Sequence, residues 1–334
     1  MYYKKLTTYD SEHEEAKCVK KNNFGQCVRR LYCFFSIFIL IGFSYATNGY
    51  NGIFYFALSF APSLAYLYIF RKQIKKEIKH SYVIEMVLYG AVLSIFSAGI
   101  FEYLLSDVCY YFCSICFIKE IEESYSFICS IFAFFYFFFV VAYVEEISKI
   151  LPLIFVYVQR NKQEYIELPI VENDHYVNNI TYEEDINESS IKKFKYITVN
   201  DKLEYIFFSL CSSAGFSSTE NLFYVTQMKK QNFLFVIILR NLVCVLFHMC
   251  CTGISSYNIV NNICHKNKKR TISNLLFILG SIFSASLFHA VYDYSIYYIS
   301  LDLPFYLFVY LSVLFIYSFF SVLVMFFVLI KESD

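Results

Sequence analysis

A chain of 334 residues in which 28 Lys and Arg are matched by 28 Asp and Glu has no net charge with which to attract nucleic acid or an acidic partner. Hydrophobic residues make up 58% of it, aromatic residues 21% and charged residues only 17%, which excludes a soluble globular domain and points to a polytopic membrane protein whose partner is the lipid bilayer.

Apolar runs of about 20 residues are membrane-crossing helices. Eight occur, at about 31–47, 52–70, 82–105, 127–158, 203–226, 233–258, 273–299 and 304–330, so the expected fold is an all-α polytopic helix bundle. Basic residues then orient it. Lys17, Lys20, Lys21, Arg29 and Arg30 precede the first run, and Arg71, Lys72, Lys75, Lys76 and Lys79 follow the second. The 159–202 and 259–272 connections are also basic, whereas 48–51 and 300–303 hold no Lys or Arg, 106–126 has only Lys119, and 227–232 has Lys229 and Lys230. The positive-inside rule therefore predicts both termini in the cytosol. With the first apolar run beginning only near residue 31, no cleavable signal is expected. The chain divides into a cytosolic segment at 1–30, N-terminal helices at 31–126, core helices at 127–300 with a polar cytosolic loop at 159–202, and a last helix with a short tail at 301–334.

Half of the 12 cysteines fall in apolar runs, where they serve as small hydrophobes. Cys109, Cys113 and Cys116 cluster in the 106–126 connection, where an oxidising compartment would permit one disulfide, and where a structural zinc lacks a fourth ligand nearby.

Ionisable groups inside apolar runs cost several kcal/mol, roughly 2.5–3.5 on insertion scales. The fourth run carries Glu145, Glu146 and Lys149, spaced so that one ammonium pairs with either carboxylate, and then Pro152, which predicts a kink. Two readings stand for this cluster: an interfacial charged patch, or buried chemistry. In the fifth run, hydroxyl residues and Gly215 surround Glu220 and Asn221, and Glu220 reads either as a boundary cap or as a buried carboxylate. Arg240 and His248 share a face of the sixth run, with Glu220 as a counter-ion for the arginine. The seventh sets His289 and Asp293 four apart, so that the carboxylate can orient the imidazole. Carboxylates and imidazoles can activate water directly or hold a divalent metal that does so, and both routes lead to hydrolysis. The same groups would suit a proton- or ion-coupled transporter, or persist in a catalytically silent scaffold.

Taken in order, Glu145-Glu146-x-x-Lys149, Gly215-Phe216 through Glu220-Asn221-x-x-Tyr224, Arg240 with His248, and His289-x-x-x-Asp293 resemble the motif series of the PrsW family of intramembrane proteases, within the wider CAAX-processing and bacteriocin-processing group. The resemblance implies hydrolysis of a membrane-anchored protein or peptide. Glu145 or Glu146 would be the general base, Glu220, His248, His289 and Asp293 would complete the site, and Lys149, Asn221 and Arg240 would support it. A divalent metal such as zinc would be held by Glu146, Glu220, His248 and His289 in a metal-dependent mechanism; a glutamate-dependent mechanism needs none. Asp293 departs from the Asn that often ends the last motif. Because Glu220 lies nearer the outer boundary than Glu145, a break near Gly215 or a shifted run boundary is needed to bring them level.

Overall fold

In hydrocarbon every backbone N–H and C=O must be satisfied within the chain, and a helix does so locally. The computed structural model describes residues 27–74, 78–117, 127–164, 199–227, 238, 240–265, 271–299 and 305–333, and no strand occurs among them. Helix α1 is Cys27–Asn48. It is followed by α2, Tyr50–Gln73; α3, His80–Leu88; α4, Ile95–Phe117; α5, Phe127–Tyr136; α6, Tyr143–Glu164; α7, Val199–Gln227; α8, Val245–His265; α9, Thr271–Ile299; and α10, Phe305–Ser333. Six-residue π-helical turns, Tyr89–Ser94 and Phe137–Ala142, join α3 to α4 and α5 to α6, and a five-residue one, Arg240–Cys244, leads into α8. Such turns are uncommon and concentrate at functional sites.

Among the described residues seven helices are long and apolar enough to cross a membrane, where the sequence predicts eight. The difference is α7, whose CSSAGFSSTEN stretch lowers its hydropathy although its 29 residues are ample for a crossing. Every residue from Tyr205 to Thr219 is buried, with α2, α3, α6 and α8 packed around the helix. Walled off from lipid, α7 needs no apolar surface, and its hydroxyls bond inside the bundle. Ser217, Ser218 and Thr219 donate to the carbonyls of Ser213, Ala214 and Gly215 one turn back, and Ser212 donates to the Lys149 carbonyl at 2.7 Å. At the opposite extreme, α10 exposes Phe305, Tyr306, Tyr310, Tyr317 and Phe320, an outer face suited to lipid.

Two glycines set how closely α7 approaches its neighbours. A Cβ on Gly215 would lie 1.9 Å from the Val87 carbonyl oxygen, and one on Gly90 would lie 1.8 Å from that of Ser212. Gly215 is therefore a packing residue, and α7 runs through it unbroken, so of the two expected remedies the break does not occur. On the other side of the core, Phe247 of α8 stacks on Tyr292 of α9 at 4.1 Å, and Gly253 of α8 admits the Phe326 ring of α10. Helix α6 continues through Pro152 to Glu164, and α4 extends over residues 106–117, which the sequence assigns to a connection. Cys109 is a free thiol. The side chains of Cys113 and Cys116, residues 1–26 and the 165–198 part of the polar loop lie outside the described residues.

Candidate functional site

The first turn of α6 projects Glu145 and Glu146 inward just after the π turn Phe137–Ala142, and Lys149 follows one turn later. Lys149 is fully buried. Its ammonium donates to Glu145 Oε2 at 3.0 Å, to Glu146 Oε1 at 3.0 Å and to His248 Nδ1 at 2.8 Å, one acceptor for each proton. The Phe216 ring lies 4.6 Å from the nitrogen and adds a cation–π contact. Such burial is incompatible with an interfacial charged patch.

The two carboxylates differ in surroundings. Glu146 is 0% exposed, accepts from the Thr252 hydroxyl at 2.9 Å, and has His289 Nδ1 3.2 Å from Oε1. Glu145 is 7% exposed, and on its Oε2 converge Lys149, His289 Nε2 at 3.6 Å and His248 Nδ1 at 3.8 Å.

Glu220 is tied to α8 rather than capping α7. Arg240 Nη2 donates to its Oε1 at 2.7 Å, and His248 Nε2 lies 3.3 Å from its Oε2. The same guanidinium donates from Nε to Asn221 Oδ1 at 3.0 Å and sits 3.5 Å from the Tyr224 ring centroid. Asn221 in turn donates to Asn241 Oδ1 at 3.0 Å. The Glu220-Asn221-x-x-Tyr224 pattern is thus a clamp around one arginine. Glu145 and Glu220 lie level at the site, since both reach one imidazole: His248 Nδ1 is 3.8 Å from Glu145 Oε2 and His248 Nε2 is 3.3 Å from Glu220 Oε2. The 228–237 connection between the fifth and sixth runs, and with it the outer boundary of the sixth, lies outside the described residues.

From α9, His289 stacks edge-on against His248 with ring centroids 4.6 Å apart, and its Nε2 lies 3.2 Å from Asp293 Oδ2. Both ring nitrogens of His289, with His248 Nε2 and Glu220 Oε2, are buried without a hydrogen-bond partner despite these close approaches.

Residues 79–325 match the family model described as PrsW family intramembrane metalloprotease, well over half of the chain. The chain belongs to this family. It is accordingly an integral, multi-pass membrane protein of a membrane-protease family, with α1 and α2 outside the matched segment. No curated protein and no solved structure gives a significant match.

The PrsW description implies a metal, and the donors present fit one. Carboxylate and imidazole atoms of Glu145, His248 and His289 lie within 4.8 Å of one another, as do those of Glu220, Cys244 and His248. With them go the orphaned imidazole nitrogens, which a metal would satisfy. Of the expected set Glu146, Glu220, His248 and His289, the first group holds the two imidazoles with Glu145, and the second holds Glu220 with His248; Glu146 instead accepts from the Thr252 hydroxyl. Three residues escape the sequence reading. Thr252 follows His248 by one turn and Cys244 precedes it by one turn, positions visible only once His248 anchors the face. Glu102, a carboxylate near the end of the third apolar run, lies within electrostatic range of Glu145, Glu220, Lys149 and Asp293.

Proposed function

We propose that this PrsW-family chain is an endopeptidase that hydrolyses a peptide bond of a membrane-anchored protein, with Glu145 as the proton-accepting group. The supporting observation is the convergence of Lys149, His248 and His289 on Oε2 of the one carboxylate in the α6 pair that keeps an exposed edge. A water beside Oε2 would lie between the two imidazoles. Glu145 takes its proton as the water oxygen attacks the carbonyl carbon, and passes that proton to the departing amide nitrogen. His248 and His289 orient the water and the oxyanion. Lys149 balances the charge of the carboxylate pair. Glu146 and Asp293 act as positioning residues: Glu146 holds Lys149 and Thr252, and both carboxylates flank His289. Arg240, held by Glu220, Asn221 and Tyr224, fixes α7 to α8.

A second reading is favoured by the family description and the donor geometry: Glu145, His248 and His289 hold a divalent metal such as zinc. When bound, it would act as a Lewis acid on water and carbonyl. The test uses purified protein with single-span and prenylated substrates, with and without chelator. Glu145→Gln is expected to lower cleavage at least about 100-fold while His248→Ala and His289→Ala also lose it. Wild-type cleavage rates in Glu145→Gln would overturn the assignment, and loss of wild-type activity on chelation, restored by zinc, would select the second reading.

A further inference from the structure

His248 presents different surroundings to its two ring nitrogens. Nδ1 faces α6, with Lys149 at 2.8 Å and Glu145 Oε2 at 3.8 Å. Nε2 faces α7, 3.3 Å from Glu220 Oε2. Cys244 sits one helical turn before His248, in the π turn that leads into α8, and its sulfur reaches this second side: the donor atoms of Glu220, Cys244 and His248 all lie within 4.8 Å of one another. His248 is 1% exposed, and neither its Nε2 nor Glu220 Oε2 has a hydrogen-bond partner.

We propose that Glu220, Cys244 and His248 form a second metal site, which shares His248 with the Glu145 set but uses its other ring nitrogen, and that it takes a thiophilic divalent ion of the zinc and cadmium class. The donor chemistry selects the ion. Thiolate sulfur discriminates against magnesium and calcium, whereas one sulfur, one imidazole nitrogen and one carboxylate oxygen suit zinc. Zinc bonds of about 2.3 Å to sulfur and 2.0–2.1 Å to nitrogen place tetrahedral ligands about 3.5 Å apart, so the present set closes with side-chain movements of about 1 Å. The thiolate and the carboxylate supply two negative charges, one of them shared with Arg240 at 2.7 Å.

Binding rearranges protons in a defined way. The Cys244 thiol releases its proton to solvent as sulfur donates its lone pair. Lys149 donates to Nδ1 in the structure, so the ring proton is on Nε2; to free Nε2 for the metal, that proton moves to Nδ1 and the Lys149 contact is given up. Glu145 Oε2, 3.8 Å from Nδ1, is the acceptor left facing the new N–H. An ion here therefore occupies Glu145 with a hydrogen bond and inhibits hydrolysis. Only this inhibitory consequence rests on Glu145 as the proton acceptor; binding itself does not.

The full-length chain in micelles is titrated with cobalt(II) and the near-ultraviolet thiolate-to-cobalt band recorded. Wild type should develop the band, Cys244→Ser and Cys244→Ala should lose it, and Cys211→Ser should keep it. Zinc K-edge absorption of the wild type, which depends on no variant, should show one sulfur at about 2.3 Å. A shell of nitrogen and oxygen only, or a cobalt band that survives Cys244→Ser, overturns the site. The ratio of cleavage with and without excess zinc should fall at least tenfold in wild type and stay near one in Cys244→Ser. A thiolate band without inhibition would retain the site and refute the role of Glu145.

Discussion

Lys149→Met removes one charge and little volume from the centre of the bundle. Each of the two 3.0 Å contacts to Glu145 and Glu146 has a Coulomb energy of about 5–6 kcal/mol at an effective dielectric constant of about 20. Desolvation of the ammonium offsets much of that sum, and breaking one buried ion pair by deleting a partner costs about 3–5 kcal/mol net. Because two carboxylates and an imidazole lose their shared donor together, the expected loss is at the upper end, about 5 kcal/mol. Unfolding in mixed micelles, followed by circular dichroism against increasing dodecyl sulfate, measures it. Adding Glu146→Gln to Lys149→Met removes one of the stranded charges and should recover about 1–3 kcal/mol, the usual range for coupled neighbours. A loss under about 1 kcal/mol for the single variant, or a double variant less stable than the single, would refute the idea that this ammonium neutralises the pair.

Gly215→Ala should destabilise the protein by about 1–3 kcal/mol or abolish folded yield, since its methyl group meets the Val87 carbonyl at 1.9 Å, whereas Gly99→Ala, with nothing within 4 Å, should leave the midpoint unchanged. Arg240→Lys keeps the charge but loses the fork that reaches Glu220 and Asn221 together, and cleavage should fall at least tenfold; wild-type rates would show that the clamp is dispensable. Accessibility tags at both termini should report the cytosolic side if α7 crosses the bilayer as the eighth span, and opposite sides if it does not.

Much of this was legible in the amino-acid order because membranes make polar residues conspicuous. Glu146 and Lys149 stand out in an apolar run, and the pairing of Lys149 with both glutamates follows from helical spacing alone. Contacts between helices were not legible. Nothing local in the sequence says that Lys149 reaches His248, 99 positions away, or that Thr252 engages Glu146. Nor does periodicity distinguish Glu145 from Glu146. That difference comes from which neighbours crowd each carboxylate, a property of packing. Gly215 was open to two readings, a small residue for close helix approach or a point for a break, and the structure uses it for close approach.

The polar middle of α7 also constrains how the protein is made. Released by itself into lipid, the stretch from Ser209 to Asn221 would expose serines, a glutamate and an asparagine with no partners. The helix cannot wait in the bilayer as an independent span while synthesis continues. It has to be handed from the insertion machinery onto a groove already formed by α2, α3 and α6, and remain sheltered on its open flank until α8 arrives with Arg240 and Thr252. Ribosome-bound chains truncated just after Gln227 should therefore remain associated with an insertion chaperone, whereas chains that extend past His265 should be released from it.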